Sequence, residues 1–127
     1  MDEKGGFREL VGIELSEAEE GRAVVSMRPG DRHLNPGGTV HGGAISTLVD
    51  VAMAEALNTT LDDAAERPVT VEMKVNYMAP GKPGVIVSTA RVRKGGKRMT
   101  VVEAEVVQEE DEEVVALATG TYTIVGG

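Results

Sequence analysis

The chain has 127 residues, which suits one hydrophobic core and leaves no room for a second, so a single domain over residues 1–127 is expected. Hydrophobic residues make up 41% and charged residues 27%, the balance of a globular rather than a disordered chain. The absence of cysteine excludes disulfides, thiolate nucleophiles and cysteine-based zinc sites, and the net charge of −8 argues against a nucleic-acid partner, whose phosphates it would repel.

Aromatic residues are only 2% of the chain, so the core must be built from Val, Ala, Leu, Ile and Met. A small domain with few bulky side chains often gains stability by self-association. The opening MDEKGGFREL lacks the apolar segment of a signal peptide, and no apolar run is long enough to span a membrane. A cytoplasmic protein with no membrane partner is therefore the expectation.

In chain order, Gly12–Gly30 predicts two strands around Glu19-Glu20-Gly21, with Ala23, Val25 and Met27 alternating. Residues 30–40, punctuated by Pro36, Gly37 and Gly38, read as loop. From Gly42 to about Thr60 the period is helical. Ala44, Ile45, Leu48, Val49, Ala52, Met53, Ala56 and Leu57 cover an arc too broad for a surface helix, so this helix should be buried on several sides.

After Pro68 the period changes to two, placing Val69, Val71, Met73, Val75 and Tyr77 on one face and Thr70, Glu72, Lys74 and Asn76 on the other. Residues 84–94 and 97–110 predict a hairpin around Gly95-Gly96, a doublet suited to a tight turn. Residues 112–125 predict a last strand, with the acidic Glu109–Glu113 segment as the preceding turn. Two strands, a buried helix and four antiparallel strands imply an α+β domain in which one curved antiparallel sheet wraps a central helix.

Asp50 is the first candidate for chemistry. Its helical neighbours are Ser46, Thr47, Met53 and Ala54, within a run apolar on nearly every side. A lone helical carboxylate is commonly a solvated one, but a poorly solvated one can act as general base or nucleophile. Glu55 lies about 140° around the helix from it and reads as structural.

Gly42 and Gly43 stand at the predicted helix start, where free amides and absent side chains could polarise a carbonyl or hold an oxyanion. A glycine turn that merely enters the helix is the alternative. His33 and His41 alone make no convincing metal site, so no metal is expected. The cluster Arg91, Arg93, Lys94, Lys97 and Arg98 reads equally as a solvated hairpin tip or as a phosphate dock in an otherwise acidic chain.

Spacing adds a constraint. Gly42 and Asp50 are eight residues apart, or ~12 Å along a helix, too far to touch one carbonyl together. If both act, two antiparallel copies of the helix must pair Gly42 of one chain with Asp50 of the other.

The sequence Asn35-Pro36-Gly37-Gly38-Thr39-Val40-His41-Gly42-Gly43, followed by Leu48-Val49-Asp50, resembles the PaaI-like (phenylacetate-degradation) group of hotdog-fold acyl-coenzyme A thioesterases. Val69–Pro80 and the late basic hairpin with Gly120-Thr121 fit as well, so the resemblance spans nearly the whole chain.

It implies a hotdog fold of about five to six strands around a long helix. It also implies a homodimer or homotetramer hydrolysing a small or aromatic acyl-CoA, with no separate cofactor. Asp50 would activate water or attack the thioester, and the Gly42 amide of the partner chain would polarise its carbonyl. Asn35 would help hold the water, His41 would orient the site, and Thr70 would place a hydroxyl near the water, although simple alternation points Thr70 away from the core. Gly43 and the basic cluster would contact substrate. A histidine found near the C-terminus of some relatives is absent here, where Thr121 and Tyr122 stand, so its role does not transfer. The rival readings are a non-catalytic acyl-CoA-binding module, a hotdog hydratase or dehydratase, and a purely structural oligomer.

Overall fold

The computed structural model describes residues 6–96 and 98–126. Its centre is helix α2, Gly42–Asn58, whose apolar arc buries Ile45, Leu48, Val49, Ala52, Met53, Ala56 and Leu57. His41 caps its start from an extended backbone (φ −59°, ψ 135°), its ring Nδ1 accepting the Gly43 amide hydrogen. At the other end the Thr59 and Thr60 hydroxyls donate to the carbonyls of Ala56 and Leu57, each at 2.7 Å, and satisfy groups the helix leaves open.

Six strands surround it: β1 Ile13–Glu19, β2 Arg22–Met27, β3 Arg67–Tyr77, β4 Ile86–Lys94, β5 Thr100–Gln108 and β6 Val114–Val125. They form one antiparallel sheet in the order β1-β2-β4-β5-β6-β3. Its inner face presents Ala23, Val25 and Met27 from β2, Ile86 and Ala90 from β4, Val102 and Val106 from β5, and Ala118 and Tyr122 from β6. α2 packs across β2, β3, β4 and β5. The sheet wraps the helix as the sequence predicts, and small Val and Ala side chains let it approach closely. The β1–β2 turn needs positive φ at Glu20 (50°) and Gly21 (79°), the backbone of a tight two-residue hairpin.

Three features depart from the sequence reading. The register of β3 on β6 pairs Thr70 with Tyr122 but Glu72 with Thr121, so Val71 is an extra, bulged residue. A bulge reverses which side chains face inward. Met73 and Val75 face the helix, but so does Thr70, while Val69 and Val71 are exposed. The expected single face from Val69 to Tyr77 is therefore broken at Val71. Second, β4 ends at Lys94 and β5 begins at Thr100, so the connection is longer than a two-residue Gly95-Gly96 turn. Third, a short helix α1, Gly6–Val11, precedes the sheet. It is too short to show periodicity in sequence and is held from outside. The Arg8 guanidinium bonds the Glu55 carboxylate at 2.6 Å, and His33 Nε2 contacts the Val11 carbonyl at 2.5 Å. Glu55 thus ties α1 to α2 on a side of the helix away from Asp50.

Candidate active site

Asp50 lies midway along α2, half-buried, with its side chain directed at the β3 and β6 end of the sheet. Two hydroxyls donate to the same carboxylate oxygen, Oδ1: Tyr122 at 2.5 Å and Thr70 at 2.9 Å. The Tyr122 oxygen also lies 3.3 Å from the Asp50 carbonyl. Thr70 reaches this position because of the bulge at Val71. Burial and the facing Asp50 carboxylate push the Tyr122 phenol above the ordinary tyrosine range, with the Thr70 hydroxyl acting the other way. Burial and the carboxylate keep the phenol protonated and therefore a donor.

The first turn of α2 has a different character. The Gly43 amide is committed to His41 Nδ1 at 2.8 Å. The Gly42 amide has no acceptor among the described residues, and it lies at the positive end of the helix. Tyr77 covers one side: its hydroxyl donates to the Gly42 carbonyl at 3.0 Å and pairs closely with the Ser46 hydroxyl. A Cβ on Gly42 would meet the Tyr77 ring at 3.4 Å. A carbonyl oxygen could approach the free amide with no side chain of residue 42 in its way.

Asn35 shapes the loop that leads into this turn. Its Oδ1 accepts from the amides of Gly37 (3.0 Å) and Thr39 (3.3 Å), and its Nδ2 donates to the Thr39 hydroxyl (3.0 Å). One Nδ2 hydrogen stays free. The loop closes through the Leu34–Val40 bridge and the bond from the His41 amide to the His33 carbonyl at 2.7 Å, which sets Asn35 near the helix start. The His33 ring is engaged at both nitrogens, by the Gly30 amide (2.9 Å) and the Val11 carbonyl (2.5 Å). Among the described residues no three or more His, Asp or Glu side chains group as metal ligands, and no helix is long and apolar enough to cross a membrane.

The described members of the basic cluster have different surroundings. Arg91 lines a groove on the outer face of the sheet with Arg22, Lys74, Glu103 and Glu105. Arg93 lies 3.3 Å from the Glu103 carboxylate. Lys94 and Arg98 are exposed, and Lys97 falls outside the described residues. Arg91 and Arg93 sit at the end of the sheet where α2 terminates, because the Gly21 turn joins Thr59 (2.6 Å) to the Val92 amide (2.8 Å).

Within one chain the structure thus makes two groupings on α2. One holds Asp50, Thr70 and Tyr122; the other holds Asn35, His41, Gly42, Gly43 and Tyr77. Tyr122 is the residue that the sequence reading missed. The available signal was its rarity: a tyrosine on the inward face of a strand must find a partner for its hydroxyl.

Residues 37–115 match the thioesterase superfamily. The chain is 33% identical to human acyl-coenzyme A thioesterase 13 over 118 residues, covering 91% of this chain and 83% of that protein. It is 32% identical to the acyl-coenzyme A thioesterase PaaI of Escherichia coli over 128 residues, covering 100% of this chain and 88% of the relative. The solved structure of the E. coli PaaI protein from the phenylacetic acid degradation operon superposes with a TM-score of 0.88 at 31% identity, covering 97% of this chain and 86% of that one. With its helix-wrapping sheet, its free glycine amide and its buttressed carboxylate, the chain belongs to the thioesterase superfamily and has the hotdog fold.

Proposed function

We propose that this chain hydrolyses acyl-coenzyme A thioesters as a homo-oligomer, each site joining Gly42 of one protomer to Asp50 of its partner. The observation that carries the reading is the free Gly42 amide and the Asp50 carboxylate on one helix, eight residues and ~12 Å apart. A donor for the carbonyl and a base for the water are both present, and a second antiparallel α2 would bring them to one carbonyl.

Two features favour such pairing. The outward side of α2 carries the small or half-buried Ala44, Ser46, Thr47, Val51 and Ala54. β3 is also an 11-residue edge strand with exposed Val69, Val71 and Tyr77, and a long apolar edge is a template for another strand. A twofold axis near Ser46 would pair the helices in the required register.

Asp50 takes a proton from water as the oxygen adds to the thioester carbon, and the Gly42 amide holds the oxyanion. Collapse of the adduct expels the coenzyme A thiolate, which takes up the proton and leaves the free acid. A thioester carbonyl has little resonance with sulfur and a thiolate leaves readily, so one base and one donor suffice without a serine triad. Asn35 offers its free amide hydrogen to the water, Thr70 steadies Asp50, and His41 fixes the first turn by capping it. Arg91, Lys94 and Arg98, at the α2 C-terminal end, would lie toward the partner's substrate in an antiparallel pair and meet the nucleotide phosphates. A recess of about 370 Å³ beside Gly43, walled by Phe7, Leu10, Leu34 and Ala44, suits a small or aromatic acyl group.

The test is complementation. Asp50→Asn and Gly42→Pro are each assayed by thiol release from short, medium and aromatic acyl-CoA, then unfolded together, mixed and refolded. A shared site predicts two nearly inactive variants whose mixture recovers about a quarter of wild-type activity, because half the dimers are mixed and each has one intact site. No recovery, with mixed dimers demonstrated, would refute a site built from two chains.

A further inference from the structure

We infer that Tyr122 is a positioning residue that, together with Thr70, locks Asp50 through Oδ1 and so leaves Oδ2 as the atom that meets the reacting water. The inference rests on the proposed role of Asp50 and assigns to Tyr122 a part that the sequence motif does not contain.

The geometry is specific. Tyr122 is 1% exposed, and its hydroxyl is 2.5 Å from Asp50 Oδ1. Thr70 donates to the same oxygen at 2.9 Å, while Oδ2 accepts from no described residue. Two donors occupy the lone pairs of Oδ1, so the outward lone pairs of Oδ2 remain to accept a proton. A carboxylate on a flexible Asp side chain rotates about its Cβ–Cγ bond, and two donors on one oxygen fix that rotation.

The backbone is arranged around this contact. Gly120 shares the inward face of β6 with Tyr122, and a Cβ there would lie 2.7 Å from Met53 Cε and 3.0 Å from Tyr122 Cε1. The missing side chain gives the ring its room beneath the helix. The bulge at Val71 turns Thr70 to the same oxygen from the adjacent strand. A bulge on β3 and a buried phenol with room left by Gly120 on β6 thus converge on one carboxylate oxygen. Burial also keeps the phenol protonated, so it stays a donor throughout the neutral and mildly alkaline range.

The experiment compares wild type, Tyr122→Phe, Thr70→Val, Asp50→Asn and the double variant Tyr122→Phe/Asp50→Asn. Tyr122→Phe keeps the ring in the core and removes only the hydroxyl. Positioning predicts that kcat falls on the order of 10- to 100-fold, the cost of a lost hydrogen bond to a charged group, with KM changed less than about twofold. It also predicts no further loss when Tyr122→Phe is added to Asp50→Asn, because the phenol acts only through that carboxylate. Thr70→Val should lower kcat by a smaller factor in the same pattern.

A Tyr122→Phe enzyme with wild-type kcat, or one losing the same factor in the Asp50→Asn background, overturns the inference. In the second case the hydroxyl supports the fold and not the carboxylate. If Tyr122→Phe does not fold, a fluorotyrosine placed at position 122 keeps the shape and alters only the donor strength. An altered kcat at constant KM then supports the inference, and an unchanged kcat overturns it. Failure of the underlying reading shows separately, as an active Asp50→Asn enzyme.

Discussion

At its first turn α2 presents a donor made by the backbone; at its midpoint it presents an acceptor held by side chains from two strands. The Gly42 amide is free because it is the first residue of a helix, and it is reachable because residue 42 has no side chain. Its geometry is set mainly within about ten residues, from Asn35 through the His41 cap to Gly43, with Tyr77 added from β3. Asp50 has no such local support. Its partners Thr70 and Tyr122 are 20 and 72 residues away; Thr70 is aimed by the bulge at Val71, and Tyr122 has the room that Gly120 leaves. The Gly42 donor is made by chain geometry at the helix start and the Asp50 acceptor is held by packing across strands, so the two halves should fail differently when disturbed.

Asp50→Asn should have the largest effect. The amide keeps an oxygen for Tyr122 and Thr70, so fold and oligomer should persist by circular dichroism and sedimentation. Turnover in the thiol-release assay should fall on the order of 10²- to 10⁴-fold, the range for loss of a general base. Near wild-type turnover would remove Asp50 from the chemistry.

Gly42→Pro addresses the donor. Proline is favoured at the first helical position, and His41 already holds the extended backbone that a following proline demands (φ −59°, ψ 135°). The ring removes one N–H and little else, and its Cβ meets Tyr77 at an ordinary 3.4 Å. Loss of kcat by about 10²- to 10³-fold is expected, with helix content unchanged. Preserved activity would move the oxyanion site elsewhere.

Smaller effects separate the cap from the chemistry. His41→Ala should cost about 1 kcal/mol in urea unfolding, because the Gly43 amide loses its acceptor. His41→Asn, a good cap, should restore stability; it should also restore turnover if the ring acts through the turn it holds. A stable but slow His41→Asn enzyme would give the imidazole a direct part. Least of all, Glu55→Gln should leave kcat unchanged and lower stability by about 1 kcal/mol or less, because its contact with Arg8 is partly solvated. A large kcat loss there would mean that the helix carries a second working carboxylate.

The local half of this design was legible in the sequence. The helix start, the glycine pair, the apolar arc that buries α2 and the strand alternation on β2 all follow from composition and period. The eight-residue spacing of Gly42 and Asp50 also defined the need for a second chain if both act. Thr70 was legible only through resemblance, since strict alternation points it outward and nothing in VTVEM marks Val71 as the bulged residue. Tyr122 was visible as a residue standing in place of a histidine, but not as a partner of Asp50. The short α1 escaped because six residues carry no measurable period.

The sequence alone was enough for the class of the fold, its central helix and the glycine pair at the helix start, because helical and strand periods and glycine geometry act over a few neighbours. Which oxygen of Asp50 is held, and by what, is visible only in the packed molecule. That choice depends on the register of β3 against β6 and on the space left by Gly120, and pairings across 20 or 72 residues are fixed by packing rather than by local pattern.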